Sequence, residues 1–533
     1  MNRSLTPARR GNVGAAILAA SLGALVAQMC LTGQAPLLGL FQDELGASAT
    51  NLTWLTAAIF VPTAVLELNF GVLGDMFGRR RLIIGGQLVC TVALVLFYFA
   101  NSVGMVAVVS VVLGLGAAAL LPSTLATVAA LSPTPAERAK AIARWALAIA
   151  LASALSPFCA GLLGEKVGLH AAWTVTLVLA VVGAVFSFVA IPDTSAPEGR
   201  TLDWCGQLLC GVGLLAFIYA IIQGADQGWG STSVVVCYVV AVVALAAFVI
   251  AELKHGAPMF QVRLLKIPAF RAAALAGLVG MLSFIGFAYS MSVKLGPINH
   301  KGPLSLGLPF VVMQIIPLAV GPFLGRILHR VSPRTLLVIG LVVMAAGELW
   351  YTRLGAYTYG LGALTGPIVL VGIGFLMMFS SVTAAAVNSV PQEAIGMASG
   401  ATSLVRETGQ TLGAAVVGAI ALTRASSLIT SGVAGAHLPP QAVGMVEGIN
   451  QAAGGLAVVN ATAAPGFPAP IGQVVNPIAH QALDSGFDLG ITVLACLSLG
   501  AALVVAVTMR GAAARPVAGL DEAVEDAALG AIA

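Results

Sequence analysis

Four ionisable side chains stand where apolar residues surround them, and the chemistry of the chain begins with these. Glu67 lies in the run Thr63–Phe70, Arg406 and Glu407 lie side by side in Ala398–Leu412, and Glu348 closes an apolar run just before Trp350 and Tyr351. A charge in hydrocarbon is expensive, so such a group marks a substrate path or a proton relay by default. Glu407 and Glu67 are the candidates for loading and releasing a proton, with Arg406 beside them as a third coupling candidate. Glu348 is read as interfacial. The bland alternative for each is a neutral or paired carboxyl in helix packing.

Other chemistries lack their residues. The six histidines, His170, His255, His300, His329, His437 and His480, are scattered, and the seven cysteines show no metal-ligand spacing with them. The chain carries no H-E-x-x-H, no G-x-S-x-G and no phosphate-binding G-x-x-x-x-G-K-[ST]. No enzyme activity, metal or cofactor is expected. No basic run interleaved with aromatics suggests nucleic acid.

The elements that hold these residues follow from composition. The chain has 533 residues, of which 59% are hydrophobic and only 9% charged, against roughly 25% charged in soluble domains. Too little charge is present to cover a water-facing surface, so the bilayer is the solvent. Apolar runs long enough to span it recur at 13–40, 51–74, 82–101, 103–131, 139–164, 169–191, 203–224, 232–252, 270–293, 304–327, 334–353, 359–390, 397–424 and 487–509. The first is expected to be retained as a helix. These runs predict an all-α membrane protein with about fourteen helices. Most of the 25 Lys and Arg fall on one face of that arrangement, including Arg3, Arg9, Arg10, Arg79, Arg80, Arg81, Arg200, Arg263, Arg330 and Arg510. The positive-inside rule makes that face, and both termini, cytoplasmic. Residues 425–486, rich in Ala, Gly and Pro, read as a flexible or partly ordered external loop, and 511–533 as a solvated cytoplasmic tail.

The segment Gly71 to Arg80 has an echo at Gly325 to Arg334, and Gly86 has one at Gly340. Each copy follows an outside-to-inside helix, the second and the tenth. The repeat implies two six-helix halves, 1–191 and 254–510, separated by two inserted helices in 192–253. Transporters are commonly built this way, with a site between the halves. Asp75 at the membrane edge, with Gly71, Gly78, Arg79 and Arg80, reads as a conformational latch that breaks when the halves rock.

At these residues the chain resembles the major facilitator superfamily, whose signature loop is G-x-L-x-D-R-x-G-R-[RK]; Met76 replaces the usual Arg. Fourteen helices, Leu202-Asp203-Trp204-Cys205-Gly206, Pro258 to Leu265 and Arg406 to Gly413 are similar to its fourteen-helix drug:proton antiporter branch. The departures are specific. The family's first-helix Asp falls on Ala27 and its fourth-helix Arg on Ser110. The fifth-helix motif survives as Ala152, Ser156, Pro157, Ala160 and Gly161, which keeps small residues and a kink at Pro157 and Gly161.

The resemblance implies the major facilitator fold, located in the inner or plasma membrane. It also implies a secondary transporter exporting amphipathic or apolar compounds by alternating access, driven by protons or another cation. The chain is expected to act as a monomer in contact with membrane lipid. The alternative is a dedicated exporter of a lipid-like or natural metabolite with altered coupling. Cavity candidates are Gln28, Met29 and Gln34 on the first helix, Phe284 on the ninth, Met313 and Gln314 on the tenth, and Met377 on the twelfth.

Overall fold

The computed structural model describes residues 13–132, 134–192, 203–255, 258, 260–328, 331–355, 360–390 and 395–509. The expectations placed on Arg3, Arg9, Arg10, Arg200, His329, Arg330, Arg510 and the 511–533 tail lie outside them.

The helices, in chain order, are α1 (Val13–Thr32), the short α2 (Leu38–Leu45), α3 (Ala49–Phe77), α4 (Arg79–Phe97), α5 (Val103–Leu131), α6 (Pro135–Lys166), α7 (Thr174–Ala190), α8 (Trp204–Gln227) and α9 (Thr232–Lys254). They continue as α10 (Pro268–Val293), α11 (Pro303–Leu328), α12 (Pro333–Tyr351), α13 (Leu361–Asn388), α14 (Ile395–Gly435), α15 (Pro440–Ala463) and α16 (Ala469–Thr508). Among the described residues fifteen helical segments are long and apolar enough to cross a bilayer, α2 continuing the first. A helix pairs most of its backbone polar groups within the segment, which is what hydrocarbon demands.

The two halves repeat one packing plan. α1 lies against α5, α6 and α7, as α10 lies against α13, α14 and α16. α4 packs on α5 and α7, as α12 packs on α13 and α16. The glycine pair detected in the sequence has a physical cause. A Cβ on Gly86 would lie 3.1 Å from the Gly116 carbonyl oxygen, and one on Gly340 would lie 2.8 Å from that of Gly374. Both halves therefore bring two helix backbones together at the same place, where only glycine fits. Between the halves α3 packs on α14 and α6 on α11. The repeat exchanges these two pairs with one another. The inserted α8 and α9 pack together, and α8 lies along both α3 and α14.

The segment 425–486 corrects the sequence reading. It is helical over most of its length: α14 runs on to Gly435, α15 occupies Pro440–Ala463, and α16 starts at Ala469. Proline in a helix interior removes a backbone donor and opposes the helix. Yet Pro440 and Pro470 sit in the first turns of α15 and α16, where a missing amide proton costs nothing. Val446, Leu456, Val458 and Val459 are buried against the neighbouring helices. Asn450 donates from Nδ2 to the Ser426 carbonyl at 3.1 Å. α15, fourteenth of the fifteen apolar spans in chain order, is the one added to the fourteen read from the sequence.

Candidate functional site

α3 and α14 cross antiparallel along the seam between the halves. A Cβ on Gly418 would meet Thr53 Oγ1 at 2.8 Å, and one on Gly400 would meet Leu68 at 3.6 Å. Thr53 Oγ1 also lies 2.6 Å from the Tyr289 hydroxyl of α10. α3 is held to its own half by an equally close approach: a Cβ on Gly114 of α5 would lie 2.2 Å from the Ile59 carbonyl oxygen. Pro62 removes an amide donor from α3 one turn above Glu67, and the Thr63 hydroxyl reaches the carbonyl oxygens of Ile59 and Gly114.

This seam brings the three coupling candidates together. Glu67 on α3 lies near enough to Arg406 and Glu407 on α14 for their charges to interact. Glu407 is 8% exposed, and Gln410 Nε2 donates to its Oε2 at 3.2 Å. Glu67 Oε2 is buried without a hydrogen-bond partner. The Arg406 guanidinium lies 4.6 Å from the centre of the Phe379 ring and 3.5 Å from the Thr383 hydroxyl, and its Nε is unpartnered. Among the described residues no ion pair joins Arg406 to either carboxylate. Phe379 continues into Phe375, at 5.5 Å, which stacks on Phe284 at 3.8 Å. The seam and its flank thus hold two carboxyls, one cation and an aromatic ladder, contributed by the four helices α3, α10, α13 and α14. Such groups can bind and release a proton and hold an apolar or charged molecule.

Among the described residues, the signature loop makes several contacts within its own half. Gly78 takes φ +102°, and Arg79 closes back on the buried Asp75 at 2.6 Å while donating to the Ala126 carbonyl of α5 at 3.2 Å. Arg80 lies over the Phe188 ring of α7 at 5.1 Å. Gly71 lies against Pro122 of α5. The kink residues occupy the other seam. A Cβ on Gly161 would lie 2.4 Å from the Pro303 carbonyl oxygen of α11, and one on Gly307 would lie 2.6 Å from that of Pro157. This contact sits at the end of the bundle opposite the basic loops. There, too, a Cβ on Gly39 would lie 3.4 Å from Gly296.

The cavity candidates divide. Gln28 Nε2 donates to Ser153 of α6 at 2.9 Å, and Gln34 Oε1 accepts from Ser110 at 3.4 Å while its Nε2 is buried and unpartnered. Gln314 and Met377 are half-buried, and Phe284 joins the aromatic ladder. Met29 and Met313 are each 1% exposed and packed among their neighbours.

Two buried polar groups were missed. Lys294 is 5% exposed and lies 2.5 Å from Asp484 and 2.9 Å from Asp488 of α16, with its Nζ 5.1 Å from the Tyr351 ring centre. Reading 425–486 as a loop hid Asp484. The spacing of His480, Asp484 and Asp488, one helical turn apart each time, was the available signal. Glu348, read as interfacial, is fully buried and accepts from Ser283 at 2.5 Å, with Ser498 donating to Ser283 at 3.1 Å.

A model of the Major Facilitator Superfamily matches residues 20–414. The chain is 26% identical over 508 residues to the tetracenomycin C resistance and export protein of Streptomyces glaucescens, covering 95% of this chain and 94% of that protein. It is 29% identical over 477 residues to the multidrug efflux pump LfrA of Mycolicibacterium smegmatis, covering 89% and 92%. Among solved structures, the human organic anion transporter MFSD10 superposes with a TM-score of 0.58 at 14% identity, over 94% of this chain and all of that one (100%). A peptide transporter, POT, gives 0.60 at 13%, over 95% and 100%. At these identities the structures speak for the fold alone.

Proposed function

Because the chain belongs to the major facilitator superfamily, we propose that it exports amphipathic or apolar small molecules by alternating access, driven by a proton gradient. The observation that carries this reading is the meeting of Glu67, Arg406 and Glu407 on the α3–α14 seam. A carboxyl that exchanges its proton there changes the charge between the halves, and that change biases which end of the seam closes. The halves are 1–191 and 254–510, joined through the inserted pair in 192–253. Both termini and the basic loops face the cytoplasm of a cell membrane, and the chain acts as a monomer. The Gly161–Pro303 and Gly307–Pro157 contacts are the outer gate, and the Asp75–Arg79 loop with Gly71, Gly78 and Arg80 is the latch at the inner end. The aromatic ladder from Phe284 to Phe379 is the substrate wall, and Gln34 and Gln314 supply polar contacts.

The test is accumulation of an amphipathic dye in proteoliposomes under imposed pH or sodium gradients. A pH gradient is expected to drive wild-type transport, and Glu67→Gln and Glu407→Gln are each expected to lose that drive. Equal drive in both variants and in the wild type removes the coupling role.

A second reading is favoured by the end-to-end match with an exporter named for one natural product: a dedicated exporter of a lipid-like or natural metabolite. Ala27 and Ser110, at the places where the family carries Asp and Arg, also favour altered coupling. A drug-susceptibility panel on a deletion strain separates the two. Broad sensitisation supports multidrug export, and sensitivity to one compound class supports the dedicated exporter.

A further inference from the structure

The basic end of the inserted helix pair holds two carboxyls that the transport reading does not use. Asp203 caps α8, its Oδ1 accepting from the Gly206 amide at 2.8 Å. Glu252 sits in the last turn of α9, and its Oε2 accepts from the Phe260 amide at 3.0 Å. The side chains are buried, the residues 4% and 3% exposed. Their other oxygens, Asp203 Oδ2 and Glu252 Oε1, are buried and have no donor. Both converge over Gly206, where an added Cβ would lie 2.7 Å from the first and 2.6 Å from the second. They are within hydrogen-bonding reach of each other.

Two ionised carboxylates cannot face each other in an apolar pocket without a donor between them. The pocket is apolar: Cys210, Phe248, Phe260 and Leu264 belong to the surrounding cluster, and the Phe248 and Phe260 rings lie 6.5 Å apart. Among the described residues, the titratable groups facing the pair are the Cys210 thiol from α8 and the His255 imidazole, whose Nδ1 lies 3.7 Å from Asp203 Oδ2. The His255 side chain is 39% exposed and so connects the pair to water. Helix dipoles decide where a shared proton resides. Asp203 at a helix N-terminus is favoured as the anion, and Glu252 at a helix C-terminus is disfavoured as one.

We propose that Asp203 and Glu252 bind one proton between them, held on Glu252 and donated to Asp203, as a clasp that opens when the proton leaves. The clasp ties together both connections of the inserted pair. Asp203 follows the segment arriving from the first half, and Phe260 begins the segment leading to the second. Loss of the proton to water through His255 leaves two facing anions. Their repulsion separates the start of α8 from the end of α9 and releases Phe260. The clasp is therefore closed in mildly acidic conditions and opens as pH rises, whatever the chain transports.

Two readouts on the purified full-length protein test this. Trypsin reaches the following segment at the exposed Arg263 and Lys266. Normalised to an exposed reference site, cleavage there is expected to rise about fivefold from mildly acidic to alkaline buffer in the wild type, because local opening exposes it. Glu252→Gln, whose amide donates to Asp203 at every pH, is expected to abolish the rise. The infrared band of a protonated carboxyl is expected to be weaker in Glu252→Gln than in the wild type. If Glu252→Gln does not fold, Asp203→Asn, whose amide donates to Glu252, is expected to abolish the rise in its place. An equal rise in the amide variant and the wild type, or an undiminished carboxyl band in Glu252→Gln, overturns the proposal.

Discussion

The residues that were legible are those whose charge contradicts their surroundings. Glu67, Arg406 and Glu407 stand out because they are charges set within long, mainly apolar runs. The structure then places all three on one seam. Lys294 was not legible, because its partners lie on a helix almost two hundred residues away and only the fold unites them. A prediction follows from that burial. Lys294→Ala strands Asp484 and Asp488 without their cation and is expected to destabilise the protein by about 3–5 kcal/mol. Replacing all three with apolar residues of similar size is expected to recover most of the loss, and thermal unfolding in detergent measures both. Loss of transport with unchanged stability in Lys294→Ala assigns the triad to function instead. Gly161→Val makes the opposite kind of test. Its first side-chain carbon would lie 2.4 Å from a carbonyl oxygen of the other half. That end of the α6–α11 seam can then close only with strain of roughly 1–3 kcal/mol. Cysteines placed beside the seam are expected to become more accessible to an external thiol reagent, and unchanged labelling counts against Gly161 as a gate contact.

At the scale of elements, apolar length found the membrane helices and misread one stretch. The repeat was visible as Gly86 and Gly340 because backbone approach tolerates only glycine, and that constraint is written in the sequence. The helices of 425–486 were not visible, because Pro440 and Pro470 look like breakers until their positions in first turns are known. α15 has few large apolar residues and gains its order from packing against α14 and α16. Asn450→Ala removes donors to Ser426 and Thr430 and is expected to cost about 1–3 kcal/mol, the usual penalty for stranding buried polar partners. Limited proteolysis with a nonspecific protease is expected to cut first in the turn around Gly466, between α15 and α16. A cleavage ladder spread evenly through 436–463 contradicts the helical account.

For the whole molecule, the two seams are the informative feature. α3 on α14 and α6 on α11 exchange under the internal repeat, so a rocking of one half on the other loads both alike. The Gly161–Pro303 and Gly307–Pro157 contacts close one end of the bundle, and the carboxyls of Glu67 and Glu407 lie deeper along the partner seam. In the proposed mechanism a proton arriving there acts on the same surface that parts. The most direct measurement is proton flux accompanying substrate flux, read by a pH-sensitive dye inside proteoliposomes holding the wild type or the Glu67→Gln/Glu407→Gln double variant. The account predicts that substrate addition moves protons across the wild-type membrane and none across that of the double variant, although the variant still binds substrate. Equal substrate-driven proton movement in the two would contradict it.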